Sequence, residues 1–269
     1  MPHTLAATEG PGDARRLAAA ADGAVVVAVG GDGTVNEVVD GLLLRDGALG
    51  PLAVLPSGSG DDFASACGFV DDPDALVAGM RAGAVRAVDC GHVEITTPNG
   101  TIARRFANDL GVGFEADVVR AARSLPLRGR ALYVTATLRA VLRQRPFDAT
   151  LACDERDAEP RRLLFASFCN SARVGGGLPF APDARLDDGR LDLLEVAATS
   201  RLGTCALLTR LLRRRHLEDR RVRASRLADA TLRSDAPLPV AMDGEFVTAD
   251  ARELRVRTLA GALRLCGLP

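Results

Sequence analysis

The sequence predicts an α/β nucleotide-binding domain followed by a β-rich, sandwich-like second domain. Two observations carry this. Residues 24–55 run strand, glycine loop, helix, strand, which is the alternation of an α/β sheet. From Phe147 onward, short apolar runs separated by turn residues dominate instead.

The first strand is Ala24–Val29, a β-branched run with no polar face, which suits a strand buried on both sides. It stops at Gly30-Gly31-Asp32-Gly33. Val35, Val38, Val39, Leu42 and Leu43 then recur at helical spacing. Thr34 and Glu37 fit a capping box at the start of that helix. A second strand, Pro51–Leu55, leads into Pro56-Ser57-Gly58-Ser59-Gly60-Asp61-Asp62, with a short helix expected from about Ser59. Val85–Ile95 and Arg104–Leu110 read as strands, and Asp117–Arg145 as mostly helical. Leu163–Asn170, Arg190–Val196, Ala230–Arg233 and Glu253–Leu259 read as further strands, interrupted by one helix over Arg201–His216. Asp187-Asp188-Gly189 and Asp243-Gly244 are turn signals. The expected division is residues 1–87, completed by 259–269, as the nucleotide domain, and 88–258 as the β-rich domain.

Composition narrows the chemistry. All 34 basic residues are Arg, so mechanisms that need a lysine, including the P-loop, are excluded. A net charge of −1 over 269 residues with 4% aromatics argues against nucleic-acid binding. The six cysteines form no C-x-x-C pair and the three histidines are scattered, which argues against structural zinc and for buried thiols in a reducing cytoplasm. No apolar run approaches the ~18 residues of a membrane span, so any membrane contact is expected to be peripheral.

Gly30–Asn36 is the strongest chemical signal. Glycines after a strand let backbone approach a ligand, and the helix start offers N–H groups and a positive dipole end. The segment serves either as a phosphate cradle without lysine or as a tight strand–helix turn. Asp32 inside it is a magnesium partner, a participant in proton transfer, or an Asx-type turn residue. Taken alone, the Asp187-Asp188-Gly189 and Asp243-Gly244-Glu245 segments are plain turns.

Five segments in order resemble one family. Gly30-Gly31-Asp32-Gly33-Thr34-Val35-Asn36-Glu37-Val38 is similar to the nucleotide motif of the diacylglycerol kinase and sphingosine kinase catalytic superfamily, which includes bacterial soluble lipid kinases. Pro56–Ala64 resembles its P-x-G-T-x-N-D-F-A, and Asn108–Ala116 its segment ending in G-F-D-A. Ala181–Asp192 resembles A-P-x-A-x-x-x-D-G-x-L-D, and Asp243-Gly244-Glu245 matches D-G-E. Relative to that pattern the chain opens late. Members start with a strand and an Asn-Pro-containing glycine loop ahead of the segment corresponding to Thr4–Ala20, and neither is present in this sequence.

The resemblance implies an ATP- and Mg2+-dependent kinase of a lipid hydroxyl, working at a membrane surface from the cleft between its domains. By position, Thr8, Gly30, Gly31, Asp32, Gly33, Thr34, Val35, Asn36, Glu37 and Ser59 would meet ATP. Asp188, with backbone oxygens of Arg185 and Arg190, would hold magnesium. Glu245 or its neighbour Asp243 would be the general base, with Asp32 near the transferred group. Asp61 stands where the family has Asn and adds a negative charge. Arg213-Arg214-Arg215 and Arg220–Arg226 form either a patch for anionic lipid or a solvated helix face with its adjoining turn. Two alternatives stay open: a nucleotide-binding module with reduced or no catalysis, motivated by the late start, and an NAD kinase-like enzyme of a soluble substrate, which shares a related G-G-D-G loop. The sequence leaves room for a homodimer.

Overall fold

The computed structural model describes residues 3–21, 25–44, 50–58, 60–127 and 129–268. The first unit places α1 (Asp13–Ala20), β1 (Val26–Gly30), α2 (Asp32–Leu42), β2 (Leu52–Pro56), α3 (Asp62–Cys67) and α4 (Pro73–Ala82) in order. β1 and β2 are parallel, in register Val26↔Leu52 to Gly30↔Pro56. Val35, Val38, Val39 and Leu42 of α2 are buried, as the helical spacing predicts.

The second unit follows through β3 (Val85–Thr97), β4 (Gly100–Phe106), β5 (Asp109–Gly113), α5 (Phe114–Arg123), α6 (Gly129–Arg143), β6 (Phe147–Cys153), β7 (Glu159–Cys169), β8 (Leu191–Ala197), α7 (Arg201–Leu212), β9 (Val222–Leu227), β10 (Asp229–Met242) and β11 (Glu245–Cys266). The sheet path runs β1-β2-β11-β10-β5-β7-β8-β9, with β3 and β4 branching from β11 and β6 bridging β10 and β7.

Two apolar cores result. One gathers Val39, Leu52, Phe63 and Val88 with Leu263 and Leu265 from the end of β11. The other gathers Phe106, Leu110, Phe168, Leu193, Leu232 and Val240. The chain end joins the first unit through Leu265, paired with Leu52 of β2.

Several expectations change. β1 is not buried on both faces: it pairs with β2 alone among the described residues, and Val25, Val27 and Val29 share an exposed face. The Thr34–Glu37 capping box does not form. α2 starts earlier, with Gly31 as its N-cap and no side-chain cap. Glu37 instead accepts hydrogen bonds from Gly12 N (2.7 Å) and Ala14 N (3.1 Å), so it caps α1 across the helix pair. The helix expected near Ser59 begins at Asp62; Ser59 itself lies outside the described residues. Arg104–Leu110 splits into β4 and β5, because Ala107 and Asn108 turn their amides toward another group. Asp117–Arg145 divides into α5 and α6. The basic stretch is not one helix face: Arg213 caps α7, and Val222–Leu227 is strand β9 paired with β8. The cysteines are all free thiols, but Cys205 is exposed and Cys153 only partly buried.

Candidate active site

The site begins at the N-terminus of α2. Gly31 is extended (φ −88°, ψ −173°) and Val35 N donates to Gly31 O at 3.1 Å, closing the first helical turn. With no side chain capping that turn, its leading amides keep their donors for another acceptor. The β2–α3 loop lies directly alongside: a Cβ on Gly31 would come within 2.9 Å of Gly58 Cα. Glycine at both positions is what lets the two strand-end loops touch. Ser57 N donates to Gly30 O at 3.1 Å, and the Asp61 carboxylate folds back to accept from Gly58 N at 3.0 Å. The Thr34 side chain lies against Gly30, and Val35 faces the core, so only its backbone belongs to the loop.

Asp32 opens α2 and accepts from Phe63 N at 3.2 Å. Burial raises its pKa, and the neighbouring Asp62 carboxylate adds to the rise. Asp62 in turn accepts from Gly176 N at 2.6 Å. Gly175-Gly176-Gly177, all in the left-handed region (φ 61°, 84° and 95°), thus bring the second unit over Asp32 and Gly60. Sequence reasoning missed this loop, although three consecutive glycines were its signal.

The opposite wall comes from the β10–β11 hairpin. Asp243 (φ 46°) and Gly244 (φ 77°) both take positive φ, the geometry of a tight two-residue hairpin turn. Asp243 is buried and makes the contact between units. Its Oδ1 accepts from Asn108 N and Asp109 N at 2.8 Å each. Its Oδ2 accepts from Ala107 N at 2.8 Å and from Asn36 Nδ2 of α2. Burial, with the charge of Asp109 second, pushes the carboxyl up to about 7, while the three backbone donors pull it down. Two residues on, Glu245 is exposed, and its Oε1 would lie 3.8 Å from a Cβ on Gly33. So Asp243 and Glu245, more than two hundred positions away in sequence, lie against Asn36 and Gly33 at the start of α2.

The Asp188 turn is held by different neighbours. Asp188 accepts from Arg190 N at 3.1 Å and lies 3.7 Å from Arg226 Nη1. Gly189 N and Gly261 N both donate to Asp89, each at 2.7 Å. None of these partners belongs to α2 or its loop. The oxygen-only set of Asp188 with the Arg185 and Arg190 carbonyls suits a hard cation such as magnesium, though Arg226 already leans on the carboxylate. Among the described residues no three His, Cys, Asp or Glu side chains gather into a metal cluster. Thr8 sits in the exposed segment before α1.

Beside the hairpin a cavity of about 360 Å³ opens between α5, α6, α7 and the sheet, with Gly244, Leu211 and His216 among the residues that line it. Phe114, Leu164, Phe165 and Leu207 give it an apolar wall. Near Gly244 that wall carries two carboxyls, Asp109 and Glu115, in hydrogen-bonding contact with each other and with Ser167. Burial raises both pKa values, and for Asp109 the Glu115 charge adds to the effect, so the pair retains a proton where free carboxyls are ionised. Glu115 Oε2 is buried with no N–H or hydroxyl partner.

The diacylglycerol kinase catalytic domain model matches residues 1–93, and the model of the YegS C-terminal, NAD kinase β-sandwich-like domain matches residues 108–267. The probable lipid kinase YegS-like of Stenotrophomonas maltophilia is 31% identical, over 94% of this chain and 83% of its own. A diacylglycerol kinase of Mycobacterium tuberculosis (strain H37Rv) is 31% identical over 87% of this chain and 75% of its own. Among solved structures, a diacylglycerol kinase from Bacillus anthracis superposes with a TM-score of 0.69 at 19% identity, covering 96% and 82% of the two chains. A yeast NADH kinase superposes with 0.52 at 11% identity, covering 90% and 60%.

Proposed function

The chain belongs to the diacylglycerol kinase and YegS-like lipid kinase family, and on that premise we propose that it moves the γ-phosphoryl group of ATP onto the hydroxyl of a lipid whose buried portion is uncharged. The observation that carries this reading is that the β10–β11 turn joins two features: Glu245 lies against Gly33 at the uncapped start of α2, and its neighbour Gly244 lines an apolar cavity.

In this reading the amides of Gly31–Thr34 hold the triphosphate, helped by the dipole of α2. The lipid tail fills the cavity and presents its hydroxyl beside Gly244. Glu245 accepts the hydroxyl proton as the oxygen attacks phosphorus. Asp243 has two N–H donors on each oxygen, so it anchors the hairpin rather than taking a proton. Asp32, held by Phe63 N, borders the transferred group. A magnesium ion at Asp188, Arg185 and Arg190 would supply charge neutralisation and hold that turn. The acidic pair Asp109–Glu115 disfavours an anionic group in the cavity near Gly244, which argues for a neutral lipid alcohol over an anionic phospholipid.

The test is incubation of the folded full-length protein with labelled ATP, magnesium and, in separate reactions, neutral, amino and anionic lipid alcohols and NAD. Labelled phosphate on a neutral lipid is the expected product. Tight ATP binding with no labelled product from any lipid would overturn the reading in favour of a non-catalytic nucleotide-binding module. Labelled NAD phosphate in place of lipid phosphate would point to the soluble-substrate alternative.

A further inference from the structure

α6 buries only part of its circumference. Ala136, Ala140 and Val141 face inward, while Val134, Leu138 and Leu142, spaced one helical turn apart, are 59%, 56% and 64% exposed. α7 behaves similarly: Leu207 and Leu211 face the cavity, and Leu202 and Leu212 are 83% and 72% exposed. A helix that is apolar on its outer as well as its inner side has an unfilled partner position.

Charge identifies the partner. Neither α6 nor α7 contains an Asp or Glu. Arg139 and Arg143 lie on α6, and Arg201, Arg210, Arg213 and Arg214 lie on or directly after α7. Arg210 pairs with Asp219, but among the described residues Arg143, Arg201, Arg213 and Arg214 have no carboxylate within ion-pair distance. Apolar stripes bordered by unpaired arginines, without acids, match the interface of an anionic bilayer: acyl chains below, phosphates level with the guanidinium groups. The same two helices form the outer wall of the cavity, through Leu132, Tyr133 and Thr137 on one and Leu207 and Leu211 on the other. Tyr133 both lines the cavity and is 51% exposed, so cavity and exposed face are continuous.

We propose that α6 and α7 form a docking face for an anionic membrane, laid in the head-group layer so that a lipid enters the cavity beside Tyr133 without crossing water. This rests on the lipid-kinase reading for its purpose, but the docking itself is separable from catalysis. α6 has 15 residues, and no described helix is long and apolar enough to cross a membrane, so the contact is interfacial.

The experiment is co-sedimentation of the full chain with phosphatidylcholine vesicles, with and without phosphatidylglycerol. The wild type is expected to pellet with the anionic vesicles, less so as salt rises, and weakly with phosphatidylcholine alone. The double variant Leu138→Glu/Leu142→Glu, outside the cavity lining, is expected to lower binding at least tenfold. Its phosphorylation of a dispersed short-chain lipid should stay at the wild-type rate, which also reports that it folds. Arg143→Glu/Arg213→Glu should weaken binding mainly at low salt. Wild-type vesicle binding by both variants would overturn the proposal. So would a wild-type dimer that Leu138→Glu/Leu142→Glu makes monomeric while vesicle binding persists, since the face would then serve a second copy. If no lipid is phosphorylated yet vesicle binding follows these changes, with circular dichroism reporting a folded double variant, the kinase reading fails and the docking face stands.

Discussion

Asp243 shows how far a residue's role depends on its partners. A carboxylate in a D-G-E turn is legible in the sequence as a candidate base, but the donors on its oxygens are not, because Ala107, Asn108 and Asn36 come from distant elements. Each buried N–H left unpaired costs about 1–3 kcal/mol. Asp243→Ala strands three backbone amides, so it should destabilise the protein by about 3 kcal/mol or more in urea unfolding. A loss under ~1 kcal/mol would mean that water replaces the carboxylate freely. The Asp109–Glu115 pair makes a different prediction. Because the folded state raises the Asp109 pKa, it binds that proton more tightly than the unfolded chain. The resulting stability is complete below the ordinary carboxylate range and is lost as pH rises through and beyond it. Asp109→Asn should therefore match the wild type near pH 4 and exceed it in stability at pH 8. Equal stability at both pH values would show that the pair is not strained. Only the fold brings these two acids together: a strand and a helix start separate them, and no spacing rule marks them.

At the scale of elements, the glycine loop and the helix after it were readable because glycine geometry and helical periodicity are local. The long strands were not. β10 was legible only over Ala230–Arg233, because Pro237 and Pro239 follow. The structure absorbs them where the β10–β11 register shifts, between Arg233 and Leu238 and between Leu238 and Val240. β11 was readable over Glu253–Leu259 and then passes through a bulge, where Gly261 takes φ 59° and donates to Asp89. That bulge lets one strand serve both cores. The close approach of two loops makes a direct prediction: Gly31→Ala places a methyl 2.9 Å from Gly58 Cα, backbone that cannot swing aside. ATP affinity should fall at least about tenfold in calorimetry, worth roughly 1.4 kcal/mol, and the unfolding midpoint should fall as well, since the clash strains the free protein. Unchanged ATP binding would remove the loop contact from the nucleotide site.

Across the whole molecule, two units meet over the start of α2. The first brings Asp32 and Asn36, and the second brings the three glycines over Asp32 and the hairpin that presents Glu245. The ordered motifs made this family and two-part fold readable in advance, since each motif keeps its own local chemistry. The cavity and the exposed faces of α6 and α7 were not readable, because apolar residues look alike whether they fill a core or line a void. The proposed function makes binding and chemistry separable: phosphate would be held by backbone of one unit, and the proton taken by a side chain of the other. The most direct measurement is therefore the pair of turnover rate and ATP dissociation constant for Glu245→Gln on a phosphorylated lipid. Turnover should be lower by about a hundredfold or more, the usual worth of a positioned base, with ATP affinity within about twofold of wild type. Wild-type turnover, or an equal loss of turnover and ATP affinity, would contradict this prediction.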